Sequence, residues 1–141
     1  MKYYKCIFRF NARHSMGKLD TMHSHTFAIK LSVSDRRHPE MFHFQEFEDI
    51  VHSVLLRYTG RYLNEIPEFA GKTPTIEMIG DVFFQLFKER LGTQGYQLYR
   101  IEISENPLAE YSVGDEILLP MEYLQDCRNY WHEIMNTRAI K

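Results

Sequence analysis

The sequence has little cysteine, little net charge and no long apolar run, and each shortage excludes a class of protein. Its two cysteines, Cys6 and Cys127, lie far apart and match no metal-binding or redox spacing, so we expect reduced thiols in a cytoplasmic protein. A formal net charge of -2 gives no electrostatic reason to expect a nucleic acid or an anionic membrane as partner. Charges interrupt every candidate apolar run at the N-terminus, and no apolar run in the chain reaches 18 residues. We therefore expect neither a membrane span nor a signal peptide.

Apolar residues make up 44% of the 141 residues and aromatic residues 14%, which predicts a packed globular protein. Their spacing changes along the chain. Alternation with a period of two predicts strands over residues 2–14, 23–33, 96–105 and 109–113. Helical spacing predicts helices over 44–62, over 73–91 with an N-cap at Thr73, and over 121–135. The order of these elements predicts an antiparallel α+β fold: two hairpins separated by two helices on one face of a sheet, and an extra C-terminal helix.

Three histidines fall on the apolar faces of the first two predicted strands. His23 and His25 alternate in phase with Phe27, and His14 is in phase with Phe10. An i, i+2 pair projects both imidazoles the same way, and a third imidazole on the neighbouring strand can converge on them. Three neutral imidazoles suit zinc and leave one coordination position open. The alternative is that these are strand-end histidines, partly buried and hydrogen-bonded.

Glu105 ends the third predicted strand, in phase with Tyr99, Ile101 and Ile103. A carboxylate on an apolar face needs a partner or a ligand. The alternative is a glutamate that lies in solvent at the end of the strand.

Several short motifs, in this order, resemble those of the family of 6-pyruvoyl- and 6-carboxy-tetrahydropterin synthases. The resemblance runs from about Phe8 to Val113. It is carried by FNARH (10–14), HSHTF (23–27), HFQEFE (43–48), RYLNEIP (61–67), TPTIEMI (73–79) and IEISEN (101–106). Ser24 replaces the family's glycine between two histidines, and His43 replaces an aspartate.

The resemblance implies a tunnelling fold (T-fold) with a four-stranded antiparallel sheet in ββααββ order. It also implies a homo-oligomer, either a trimer or a hexamer. It implies zinc bound by His14, His23 and His25, and a pterin ligand held by Glu105 and Thr75. We expect residues 1–115 to form the T-fold domain and 116–141 to extend it.

The catalytic positions of the family differ in this chain. Leu19 stands where the family has a cysteine, and Thr59 and Gly60 stand where it has an Asp-His pair. Neither of the latter two relays a proton as histidine does. Asp20, His43 and a zinc-bound hydroxide are the candidates for a replacement base. Asp20 lies one residue from the cysteine position, and such a shift turns a strand side chain to the other face.

Three functions stay open at this point. The first is a zinc-dependent carbon–oxygen lyase or epimerase acting on a reduced pterin such as dihydroneopterin triphosphate. The second is a binding or sensor protein, without chemistry, for a pterin or a guanine-type nucleotide, since guanine presents the same amino and N–H edge. The third is a structural oligomer with vestigial histidines.

Overall fold

The structure is a computed structural model that describes residues 2–17 and 21–115, together with Asn129 and residues 132–136. Asn129 and residues 132–136 are helical, and all but residue 136 fall in the helix predicted over 121–135; the rest of that predicted helix lies outside the described residues. The proposed division at residue 115 stays a prediction.

Four antiparallel strands form one sheet in the order β1-β2-β3-β4. Two helices follow the first hairpin and precede the second, which confirms the predicted α+β fold in ββααββ order. The elements are β1 (Tyr4–His14), β2 (His23–Asp35), α1 (Phe44–Leu55), α2 (Ile76–Gly92), β3 (Tyr96–Asn106) and β4 (Ala109–Gly114). Within the described residues, every helix is too short or too polar to cross a lipid bilayer.

One face of the sheet carries the core, and aromatic rings join it to both helices. Phe8 packs against Phe47 of α1 with ring centroids 6.1 Å apart, and Phe10 packs against Phe83 of α2 at 5.5 Å. Phe10 also stacks on Phe27 of β2 at 5.2 Å. The alternating burial of β1 confirms its predicted phase.

The first helix is shorter than predicted. The apolar stripe predicts a helix to Tyr62, but α1 ends at Leu55 and irregular turns follow. Gly60 has a φ of 73°, which a glycine adopts without steric cost. Its N–H donates to the Asn11 carbonyl at 2.7 Å, and Arg13 N–H donates to the Arg61 carbonyl at 2.9 Å. The chain therefore leaves the helix to bond with the outer edge of β1.

The second helix begins two residues later than predicted. Its N-cap is Thr75, not Thr73, because the Thr75 hydroxyl oxygen accepts a hydrogen bond from Met78 N–H at 3.1 Å. Pro74 therefore precedes the helix, and its carbonyl oxygen can accept a hydrogen bond from a side chain of the sheet.

A β-bulge corrects the phase predicted for Tyr99. Ser32 pairs with Arg100 and Val33 pairs with Leu98, so Tyr99 is the extra residue. Leu98 lies in the core instead, and the Tyr99 hydroxyl bonds with the Ser34 hydroxyl at 2.9 Å. Ile101 and Ile103, which follow the bulge, are buried as predicted.

Gly80 of α2 sets the distance between this helix and the second hairpin. A Cβ there would lie 2.7 Å from a ring carbon of Tyr111 and 3.1 Å from Ile103 Cγ2. The Tyr111 ring is held in turn by its hydroxyl, which donates to Asp81 at 2.7 Å. We expect Gly80→Ala to lower the free energy of unfolding by about 1–3 kcal/mol through overpacking. Urea denaturation of the metal-free protein measures this.

Gly92→Ala is the matched control for this prediction. Gly92 lies at the end of the same helix, and a Cβ there would meet no atom of the described residues within 4 Å. We expect this substitution to be neutral, or to stabilise by up to about 1 kcal/mol. A Gly80→Ala protein as stable as the wild type would contradict the close packing of α2 on the hairpin.

Candidate metal-binding site

The three histidines meet where the β1–β2 hairpin pairs at its outer end. His14 lies directly opposite His23 in the register, and His25 follows two residues later on the same face. The ring centroids lie 4.5 Å apart for His14 and His23, 5.2 Å for His14 and His25, and 4.7 Å for His23 and His25. Each ring offers one nitrogen within 4.8 Å of the others, so the three can hold one metal ion.

Backbone carbonyls orient two of the rings. His14 Nδ1 lies 2.9 Å from the Pro74 carbonyl oxygen, and His23 Nδ1 lies 3.0 Å from the Thr21 carbonyl oxygen. A carbonyl only accepts hydrogen bonds, so both Nδ1 atoms carry a proton. The Nε2 atom of each ring is then the one left to bind a metal, which is the usual arrangement behind metal-ligating histidines.

His25 is the third ligand candidate. Its side chain is 31% exposed, whereas that of His14 is 1% exposed. Burial lowers the pKa of His25 below its ordinary value; Glu105 opposes this effect, and the two neighbouring histidines add to it. The neutral form of the imidazole, which is the form that binds a metal, is favoured.

The loop after β1 is tied down close to His14. The Asn64 side chain accepts from Ser15 N–H at 2.9 Å and donates to the Ser15 carbonyl at 3.0 Å. The hydroxyls of Ser15 and Tyr62 bond at 2.7 Å. These bonds hold the end of β1 in place, so the fully buried His14 ring has a defined position.

Glu105 points into the same cluster from β3. Its Oε2 lies 3.3 Å from His14 Nε2 and 3.6 Å from His25 Nε2. Both His14 Nε2 and Glu105 Oε2 are buried and form no hydrogen bond to any described residue. Buried polar atoms without a partner are rare, and here two of them face each other. The donor set and these two orphaned atoms fit a divalent cation that prefers nitrogen and oxygen ligands.

The other residues predicted for the site have different positions. Thr75 follows Pro74, the residue bonded to His14, and caps α2. His43 stacks on His38 with centroids 4.6 Å apart, and its neighbour Phe42 stacks on Tyr4. His43 is thus at the far end of β1, about 30 Å from the histidine cluster of the same chain. Leu19 and Asp20 lie outside the described residues.

Thr59 and Gly60 lie beside the His14 end of β1, and neither offers a proton-transfer group there. The Thr59 hydroxyl donates to the Leu55 carbonyl at 2.9 Å, which closes the turn after α1. Gly60 contributes only its backbone, which bonds to Asn11.

Cys6 does not replace the family's cysteine. It is buried on β1, eight residues before His14 and hence about 26 Å along the strand from that histidine. Burial raises the pKa of its thiol to about 11, so the nucleophilic thiolate is scarce at neutral pH.

Sequence reasoning misses three residues that support His14: Tyr62, Asn64 and Pro74. The apolar spacing places Tyr62 in the helical stripe and Pro74 in the first turn of a helix. Gly60 is the signal that could have shown that Tyr62 lies beyond the first helix, since a glycine inside a helical pattern marks a possible end of the helix.

Comparison with known proteins identifies the family of the chain. A sequence profile described as 6-pyruvoyl tetrahydropterin synthase matches residues 3–116, which is most of the chain, so the protein belongs to that family. No curated protein sequence matches at a significant level.

Solved structures of the family share the fold. The 6-pyruvoyl tetrahydropterin synthase of Caenorhabditis elegans aligns with a TM-score of 0.68 and 16% identity, over 82% of this chain and 96% of that one. The Plasmodium falciparum enzyme aligns with a TM-score of 0.58 and 15% identity, over 82% and 99%. The Plasmodium vivax enzyme gives 0.58 and 14%, over 83% and 100%. These identities establish the T-fold alone.

Proposed function

We propose that the protein binds zinc through His14, His23 and His25 and holds a reduced pterin of the dihydroneopterin triphosphate type beside it. The observation that carries the proposal is the convergence of three imidazoles and one carboxylate on the T-fold of this family. Neutral imidazoles suit zinc among the common divalent metals, and the backbone carbonyls hold two of the rings in the required tautomer.

Glu105 is the proposed anchor for the pterin ring. A carboxylate accepts two parallel hydrogen bonds, and the 2-amino group and ring N–H of a pterin offer two donors side by side. The Glu105 side chain is 27% exposed, so a ligand can reach it. Thr75 is the second proposed ligand contact, because its hydroxyl proton is not used by the helix cap, where the oxygen accepts.

We propose that the lyase reaction of the family either proceeds here with a different base or has been lost. Zinc at such a site acts as a Lewis acid that polarises oxygen atoms of a bound substrate. Removal of the proton that lyase chemistry requires then needs another base, because the positions of the family's cysteine and Asp-His pair hold Leu19, Thr59 and Gly60. Loss of a general base commonly slows a reaction about 10²–10⁴-fold.

The alternative proposal is a binding or sensor protein for a pterin or a guanine-type nucleotide. The turn at Thr59 and Gly60 favours it, because the one hydroxyl there is engaged by the Leu55 carbonyl. A guanine base offers Glu105 the same amino and N–H edge as a pterin does.

We further propose that the subunits form a homo-oligomer. Among the described residues, β1 and β4 are the two edges of the sheet, and such edges pair readily with strands of other subunits. Ile7 on β1 is 52% exposed, which is consistent with burial by a neighbouring copy.

One experiment tests the proposal. The protein is purified after expression with zinc, its zinc content is measured, and it is incubated with dihydroneopterin triphosphate while binding and products are followed. We expect about one zinc per subunit and saturable binding of the pterin. We expect product to form at least about 100-fold more slowly than with the C. elegans enzyme assayed in parallel.

Each outcome separates the functions. Zinc with rapid turnover would mean that another residue, such as Asp20, serves as the base. Zinc with preference for GTP over the pterin would support the sensor for a guanine-type nucleotide. Absence of zinc after expression in its presence would refute the whole proposal.

A further inference from the structure

The atoms of Glu105 and His14 face each other in a way that a hydrogen bond does not explain. With its Nδ1 bonded to the Pro74 carbonyl, His14 turns its Nε2 towards Glu105 Oε2, 3.3 Å away. Both atoms are buried and neither forms a hydrogen bond to a described residue. A metal ion bound to both atoms would account for this arrangement.

The spacing matches that of ligands around one metal ion. Zinc–nitrogen and zinc–oxygen bonds of about 2.0–2.2 Å in a tetrahedron separate neighbouring ligand atoms by about 3.3–3.6 Å. Glu105 Oε2 lies 3.3 Å from His14 Nε2 and 3.6 Å from His25 Nε2. One carboxylate oxygen thus stands at ligand-to-ligand distance from two of the three histidines.

We propose that Glu105 is a fourth protein ligand of the metal when no organic ligand is bound. This inference rests on the metal site of the proposed function and goes beyond it, because Glu105 then closes the coordination position that three histidines leave open. Structural metal sites are closed in this way, whereas catalytic sites keep a position for water or substrate.

A closed site changes the role of Glu105 in binding. The N–H edge of an entering pterin or guanine competes with the metal for the same carboxylate. Binding of the ring therefore requires Glu105 to leave the metal, and the metal position becomes accessible only when the correct ring is present. The glutamate couples recognition of the ring to opening of the metal site.

Cobalt and azide test this inference without any pterin. Cobalt(II) replaces zinc and reports its coordination by visible absorption, and azide reports an open position by changing that spectrum. We expect the wild-type spectrum to respond to azide at least 10-fold more weakly than the spectra of Glu105→Ala and Glu105→Gln. We also expect the two variants to differ from the wild type before azide is added.

Glu89→Gln is the control, because it removes an exposed carboxylate on α2 and leaves the site intact. It should behave as the wild type. A wild-type protein that binds cobalt and takes azide as readily as Glu105→Ala would overturn the inference and leave the three-histidine site standing. A wild-type protein that binds no cobalt would refute the metal site of the proposed function as well. If both variants fail to fold, a wild-type cobalt spectrum that changes on addition of azide still overturns the inference, because a closed site has no position for azide.

Discussion

His23→Ala is expected to lower the affinity of the protein for zinc at least about 100-fold. Loss of a supporting residue around a metal commonly costs 10–100-fold, and loss of a ligand costs more. His23 is the best of the three histidines for this test. It is only half-buried, whereas His14 is fully buried and its removal leaves a cavity that also affects folding. Competition with a chelator of known affinity measures the change.

His38→Ala is the matched control for this substitution. It also removes an imidazole, but from an exposed position where the ring stacks on His43, far from the cluster. We expect its zinc affinity to equal that of the wild type. If His23→Ala still held one zinc per subunit with unchanged affinity, the assignment of the three ligands would be wrong.

Glu105→Gln is expected to weaken binding of the pterin or guanine ring about 10–100-fold while zinc stays bound. The amide keeps one acceptor but places an N–H₂ donor against a ligand donor, and the charge that strengthens both hydrogen bonds is lost. Hydrogen bonds to a charged group contribute about 1.5–3 kcal/mol, which corresponds to this loss of affinity. Calorimetric titration of the zinc-loaded protein with dihydroneopterin triphosphate measures it.

Zinc content separates the possible causes of a weaker signal. The three histidines remain in Glu105→Gln, so zinc should still be present at about one per subunit. Glu89→Gln, with its exposed site on α2, should bind the pterin as the wild type does. Unchanged affinity in Glu105→Gln would show that another residue anchors the ring.

The sheet and the histidine cluster can be predicted because both depend on a period of two. Alternation places His14, His23 and His25 on one face whatever the connecting loop does, and the antiparallel register then brings them together. The order of strands and helices can be predicted in the same way, since each element has its own apolar spacing.

The parts that sequence reasoning misses depend on contacts between distant segments. The bond between His14 and the Pro74 carbonyl joins residues 60 positions apart, and a backbone carbonyl leaves no mark in a sequence. The end of α1 is missed because Tyr58 is buried whether or not the helix continues. The phase of Tyr99 differs because a bulge shifts a strand by one residue without altering its composition.

The turn at Gly60 also has a consequence for the proposed homo-oligomer. Its bonds to Asn11 and Arg13 occupy the outer edge of β1 at the histidine end. Along an edge strand, every second residue points its backbone N–H and C=O away from the neighbouring strand. Asn11 and Arg13 do so in β1, and Lys5, Ile7 and Arg9 therefore do so as well. In the proposed homo-oligomer, we therefore expect an incoming strand to pair with β1 only as far as Arg9. The turn at Gly60 would then limit the register that this strand can adopt.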